Sequence, residues 1–276
     1  MHIDELITSI RPLNPVVQDN AQKRWDQLIK PHGSLGKLEK AVNRYAAMIG
    51  SPSKEEMQLP KPRILLLWSD EHCFTAMEAA LKGQLPVVTV ARQVEVKTYP
   101  VMITETSVPE LVEEGAMLTY EYLGEEGARE LLLGSLVPAP VTLLWRDALE
   151  ENDPQLFLEK LDNPVIAAMT GAILQGARNQ VPIVLDGLAT CLAAAAAQKF
   201  NPLALAYCFA SHLSLEPETS TVLAYLKLSP VLKLGLKDGT GIGAAAGLTV
   251  FDAGVKAYME METFAEAGVA EPEVKI

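Results

Sequence analysis

Hydrophobic and polar positions change rhythm along this chain near residue 63. Upstream, residues 18–49 carry a helical pattern. After KPHG, the apolar residues Leu35, Leu38, Val42, Tyr45 and Ile49 recur at spacings of three and four, which lines them along one helix face. Ser34 is placed to cap that helix and Gly50 to end it. The Pro-rich segment SPSKEEMQLPKP (51–62) reads as a linker. Beyond it, RILLLWSD (63–70), YPVMIT (99–104), PVTLLW (140–145), VPIVLDG (181–187) and ALAYCFAS (204–211) are short apolar runs, each expected to form a buried strand. The segments between them are Ala-, Glu- and Leu-rich and suit helices, as in ELVEEGAMLTYEYLGEEGARELL (110–132). From Ala244 to Gly268 the pattern is helical again.

Apolar strands alternating with helices predict an α/β fold: a doubly wound, mainly parallel, Rossmann-like sheet with helices on both faces. A small helical domain is expected from residues 1–60 with 244–276, beside a large α/β domain over 61–243. In such sheets ligands bind outside the carboxyl ends of the strands. The polar residues there are Ser69, Asp70 and His72, then Asp186 and Gly187, then Ser211, His212 and Ser214. Each has a plainer alternative, because Asp and Ser after a strand commonly cap the next helix.

Charge and composition narrow the chemistry. A net charge of −12 with no basic run argues against a nucleic-acid groove, which needs clustered Lys and Arg. The acidic start lacks the apolar core of a secretory signal, and the blandest run, GLATCLAAAAA (187–197), is too short to cross a bilayer. No membrane partner and a cytoplasmic location are therefore expected. Cys73, Cys191 and Cys208 show no CxxC spacing, and Cys191 and Cys208 lie in apolar runs that suit core residues. The four histidines lack HxH or HxxxH spacing, so no metal site is expected. The glycines of DGTGIGAAAG, at 239, 241, 243 and 247, do not meet the GxGxxG spacing of a dinucleotide site, and the segment that follows is helical.

Four stretches together resemble the nicotinate-nucleotide:dimethylbenzimidazole phosphoribosyltransferases of cobamide lower-ligand activation. RWDQLIKPHGSLGKLE (24–39) is similar to an N-terminal signature in which Leu-Thr-Lys-Pro-Pro-Gly-Ser-Leu-Gly recurs. MTGAILQGARNQVPIVLDGLATCLAAAAA (169–197) resembles a segment running into a Val-Asp-Gly turn, and ASHLSLEP (210–217) a Ser-His-x-Ser-x-Glu-Pro element. LGLKDGTGIGAAAG (234–247) with EMETFAEAGV (260–269) resembles the active-site turn and closing helix. The resemblance implies that an aromatic base attacks the anomeric carbon of nicotinate mononucleotide, nicotinate leaves, and an α-ribotide forms with inversion. It implies no cofactor. Its site residues would be Asp238 as the catalytic carboxylate, Asp186, Gly187, Ser211, His212, Ser214, Gly239 and Gly241 as substrate-binding residues, and Lys30, Pro31, Gly33 and Ser34 as an interface or cross-subunit loop.

The chain also departs from that family. Asp238 stands where the family turn has Glu, which withdraws the carboxylate by about one C–C bond length. Gly235 stands for an Arg and Lys237 for a Gly. SDEHCFTAMEAALKGQLPVVTVAR (69–92) keeps Asp70 and His72 but lacks the Ser-x-Tyr-Pro loop. The family's glycine-rich phosphate turn corresponds to GSLVPAPVT (134–142), where Pro138 and Pro140 have no N–H to offer. No Gly-Arg-Gly-Thr-Gly element follows between Trp145 and Asn163. Scaffold motifs thus persist while pocket motifs are eroded. The resemblance then implies one subunit of a heterodimer with a paralogous catalytic subunit, like the variant that activates phenol or p-cresol. The alternatives are a self-sufficient homodimer using Asp238 as base, and a non-catalytic protein that binds a ribotide or aromatic base.

Overall fold

The computed structural model describes residues 2–138 and 144–270. The chain divides into two compact units: residues up to Arg11 with Pro60–Gly247, and Pro12–Leu59 with the chain from Leu248 onward. The N-terminal helix α1 (Ile3–Thr8), expected in the small domain, belongs to the larger unit. There Asn201 donates its side-chain amide to the Ile7 carbonyl at 2.8 Å, and the Tyr207 hydroxyl donates to the Arg11 carbonyl at 2.7 Å.

The smaller unit holds α2 (Pro15–Gln27) and α3 (Lys37–Ile49). The helical reading of 18–49 is corrected by a break between them, a chain of turns over 32–36. Ser34 does not cap α3; Gly36 precedes it at φ 52°, a left-handed turn, and Gly50 ends it at φ 79°.

In the larger unit the strands are β1 (Arg63–Ser69), β2 (Val96–Met102), β3 (Glu130–Ser135), β4 (Ile183–Leu185) and β5 (Cys208–Ala210). Between β1 and β2 lie α4 (Phe74–Leu81) and α5 (Pro86–Gln93), and α6 (Val108–Glu126) links β2 to β3. Then come α7 (Leu144–Glu150), α8 (Pro154–Leu161), α9 (Pro164–Arg178), α10 (Gly187–Phe200), α11 (Pro217–Tyr225) and α12 (Ile242–Glu260). The unit boundary falls inside α12, after Gly247. The helix stops at Glu260, short of the expected Gly268, and residues 264–268 form turns.

The five strands run parallel in the order β2-β1-β3-β4-β5. Every residue of β1, β3 and β4 is buried. Since successive strand residues face opposite sides, both faces of the sheet are covered, as the apolar runs predict. Burial even takes in Arg63, which sits opposite Glu130 in the β1–β3 register and donates from Nε to Oε2 at 2.6 Å. β2 is an edge strand and carries Pro100 and Lys97, residues suited to an unpaired edge.

Two expectations fail around β3. The helix expected to run to residue 132 stops at Gly127, left-handed at φ 57°, and ELLLGS forms the central strand instead. Of the strand expected at 140–145, residues 140–143 lie outside the described residues, while Leu144 and Trp145 open α7. Helices α6 and α9 cross in direct backbone contact. A Cβ on Gly115 would lie 1.8 Å from the Ala168 carbonyl oxygen, and one on Gly171 1.9 Å from that of Val112.

Candidate functional site

The reversal of strand order between β1 and β3 makes the carboxyl ends of the sheet the place for a site. Two regions occupy those ends: an arm over 232–243 and a cleft.

The arm is tied down along its length. The Leu232 amide donates to the Ser211 carbonyl, and the Leu232 carbonyl accepts from Leu213. The Leu236 carbonyl accepts from Leu215 at 2.8 Å, and the Leu236 amide donates to His212 Nε2 at 3.4 Å. The Gly239 carbonyl accepts from Ser135, at the end of β3, at 3.0 Å. Asp186, at the end of β4 and 3% exposed, accepts through Oδ2 from Gly241 N at 3.1 Å and Gly243 N at 2.9 Å. These amides open α12, where a carboxylate is favoured by the helix dipole. The approach needs glycine: a Cβ at Gly243 would lie 2.3 Å from Asp186 Oδ1, and one at Gly187 2.7 Å from the Gly239 Cα. Thr190 holds the main chain of Asp186, its hydroxyl accepting from Asp186 N at 2.8 Å.

All seven residues expected to bind substrate therefore converge, but mostly on one another and their neighbours. His212 is buried, with Nδ1 3.6 Å from Asp186 Oδ1. Nε2 accepts from Leu236, while Nδ1 faces that carboxylate without a hydrogen-bond partner. The Ser211 hydroxyl donates to the Leu185 carbonyl and that of Ser214 to Glu216. Glu216 also accepts from Leu188 N, in the first turn of α10, at 3.0 Å. Asp238 alone stands out: it is exposed, and its Oδ1 accepts from Thr240 N at 3.2 Å. The helix starts of α10 and α12 are thus occupied by the chain's own carboxylates. Glu216 and Thr190 were missed as single residues, although both lie inside the quoted motifs, in ASHLSLEP and VLDGLAT.

The cleft measures about 1010 Å³ and is bounded by the segments after β1, β2 and β3 and by the start of α9. Asp70, Glu71, Glu105, Glu159 and Asp162 line it, with His72, and none of its described lining residues is Lys or Arg. Asp70 also fills its plainer role, accepting from His72 N at 3.0 Å in the turn after β1. The loop after β2 is held by Glu114 of α6, which is 8% exposed. Its carboxylate accepts from Thr104 N at 2.9 Å, Thr104 Oγ1 at 2.6 Å and Glu105 N at 3.3 Å. The β3 end, where the sequence suggests a phosphate turn, offers no free amide in its described part. Ser135 N bonds to Gly239 O, Leu136 N to Trp68 O at 2.8 Å and Val137 N to Ser135 Oγ at 3.1 Å, while Pro138 has no N–H. Pro140 lies outside the described residues.

In the smaller unit, the loop expected to reach across an interface exposes Pro31, Gly33 and Ser34, but Lys30 turns inward. Its ammonium lies 2.8 Å from Glu39 Oε1, with side-chain exposures of 6% and 3%, and 5.6 Å from the Trp25 ring centre. Burial works to raise the Glu39 carboxyl, but bonds from Lys30, Gln22 and Leu35 N outweigh it and hold the group below its ordinary value of 4.5. Lys30 already has its anion. Among the described residues no group of His, Cys, Asp and Glu could hold a metal ion, and no helix is long and apolar enough to cross a membrane.

Comparison with known proteins gives a consistent result. A family model described as phosphoribosyltransferase matches residues 10–119 and 142–269. The nicotinate-nucleotide–dimethylbenzimidazole phosphoribosyltransferase of Desulforamulus reducens is 27% identical over 348 aligned positions, covering 96% of this chain and 98% of that protein. The alignment is longer than the 276-residue chain, so the relative carries segments this chain lacks. The enzyme of the same name from Rhizobium meliloti is 36% identical over 151 residues, 54% of this chain and 44% of its own. The crystal structure of CobT from Thermus thermophilus superposes with a TM-score of 0.81 at 21% identity, over 94% of this chain and all of that one, a likeness of fold.

Proposed function

Because this chain belongs to the phosphoribosyltransferase family, we propose that it is one subunit of an enzyme that makes an α-ribotide from nicotinate mononucleotide and an aromatic lower-ligand base. In this reading the chain keeps the carboxylate-bearing turn and lacks the phosphate-holding half of the site, which a paralogous partner supplies. One observation carries it: the two described backbone amides that directly follow β3, of Leu136 and Val137, are already spent within the chain, and Pro138 has none to give. The carboxylate-lined cleft agrees, since a dianionic phosphate placed there would meet like charge without a compensating cation.

The chemistry asks little of the protein beyond placement. The base bonds to C1 of the ribose from the face opposite nicotinate; the C1–N bond to the pyridinium breaks, nicotinate leaves neutral at its nitrogen, and the base loses one proton. Asp238 is the group of this chain exposed on the retained turn that can accept that proton, and accurate positioning of both reactants supplies most of the rate.

The test is to assay nicotinate release by the chain alone, by its paralogue alone, and by the two co-purified, with benzimidazole and with phenol. Turnover by the pair that far exceeds either chain supports the reading; robust turnover by this chain alone overturns it. The exposed carboxylate of Asp238 favours one second reading, a self-sufficient homodimer. That reading predicts single-chain activity abolished by Asp238→Asn.

A further inference from the structure

We infer that Asp186, backed by His212 and Thr190, is a positioning residue that sets the Asp238 carboxylate, and not a ligand of the substrate. The inference rests on the reading above that Asp238 is the base of the assembled enzyme.

The argument is one of commitment. Asp186 Oδ2 takes both Gly241 N and Gly243 N, while Oδ1 faces His212 Nδ1 at 3.6 Å. At 3% exposure, with these groups around it, the carboxylate is turned inward and away from a ligand. Its bonds act on the backbone that carries Asp238. On one side of Asp238, Leu236 is pinned through its amide to His212 and through its carbonyl to Leu215. On the other, Gly239 is pinned to Ser135 and its neighbours Gly241 and Gly243 to Asp186. The floor beneath is equally tight, since a Cβ on Gly134 would lie 2.2 Å from the Thr240 carbonyl oxygen. Asp238 is thus the exposed crest of a backbone span clamped at both feet, and Asp186 and His212 each hold one foot. Displacement of such a span by about 1 Å costs up to 100-fold in rate without touching the substrate.

The experiment uses the co-purified enzyme. Asp238→Asn is measured first; unchanged turnover would remove Asp238 as base, a failure of the earlier reading that is visible before Asp186 is touched. Asp186→Asn, which leaves one acceptor oxygen and so cannot serve the Gly241 and Gly243 amides and face His212 Nδ1 with an acceptor as well, is expected to lower kcat about 10- to 100-fold. The KM for nicotinate mononucleotide should stay within about twofold, because no substrate contact is lost. Hydrogen exchange at the Gly241 and Gly243 amides should quicken at the same time. A raised KM with kcat and both amides unchanged would make Asp186 a substrate ligand and overturn the inference. Should Asp186→Asn fail to fold, Thr190→Val serves instead. It removes only the hydroxyl that holds the Asp186 main chain, and is expected to lower kcat severalfold with KM unchanged. Unaltered kcat and exchange in that variant would equally overturn it.

Discussion

Between β3 and β5 the strand ends are sealed by the 232–243 arm, whereas around β1 and β2 they open onto a cleft. The arm is rich in motif residues, yet Asp186 is taken up by Gly241 and Gly243, His212 Nε2 by Leu236, and Glu216 by Leu188 and Ser214, while Asp238 stays exposed. The cleft has few motif residues but offers room, and five carboxylates line it. The difference teaches that a functional-looking residue in a parallel sheet can serve the site by building its wall. Polar groups at the strand ends are buried beside helix starts that need acceptors, and nearby carboxylates supply them.

Substitutions in the committed regions should cost stability, and substitutions in the cleft should not. The largest effect is expected at Lys30, which shares the arm's inward commitment. Lys30→Ala leaves Glu39 buried without its cation and should cost about 3–5 kcal/mol in urea unfolding. Retained stability would return Lys30 to the surface role. The same pair sets a pH dependence. The folded Glu39 carboxyl is held below its ordinary 4.5, so the unfolded chain takes up the proton first. Its stabilisation is full above about pH 4.5 and is lost as pH falls through the lowered folded value. Glu39→Gln should therefore flatten the stability profile below about pH 4.5, as followed by urea titration at successive pH values.

Where α10 meets the arm, Gly187→Ala encounters both a left-handed φ of 76° and the Gly239 Cα at 2.7 Å, and should cost about 2–4 kcal/mol. An unfolding midpoint unchanged from the parent would break the picture of a sealed arm. Glu114→Gln sits between the two regions. It keeps the shape but replaces one acceptor oxygen facing Thr104 and Glu105, so about 1–2 kcal/mol should be lost and loop exchange should quicken. Smallest of all, Glu105→Gln in the cleft should leave stability within about 0.5 kcal/mol. Calorimetry with nicotinate mononucleotide should register at most a slight gain in binding, from one less repelling charge.

Four of the five strands were legible because apolar runs bounded by Pro, Gly and Asp are the signature of strands buried on both faces. The central strand β3 was not, because ARELLL continues the Ala, Glu and Leu content of α6. Gly127, the left-handed stop, was the signal that separated them. The same ambiguity drew Leu144 and Trp145 into a strand when they start a helix. At the site, Asp238 and the glycines of its turn were visible in the motif, and so were Asp186 and His212. What each one bonds to was not visible. Asp186 meets Gly241 and Gly243 across 55 and 57 residues of chain, and no local pattern encodes such a pairing.

The chain's own text carried the class of fold and the order of its motifs, because periodicity and short motifs are local properties. Folding in three dimensions assigned the roles: Lys30 to Glu39, Asp186 to the start of α12, the amides after β3 to neighbouring loops, and Asp238 to the exposed crest. A polar group's function depends on which partner reaches it first, and those partners are brought together by burial of the sheet and helices and not by their spacing along the chain.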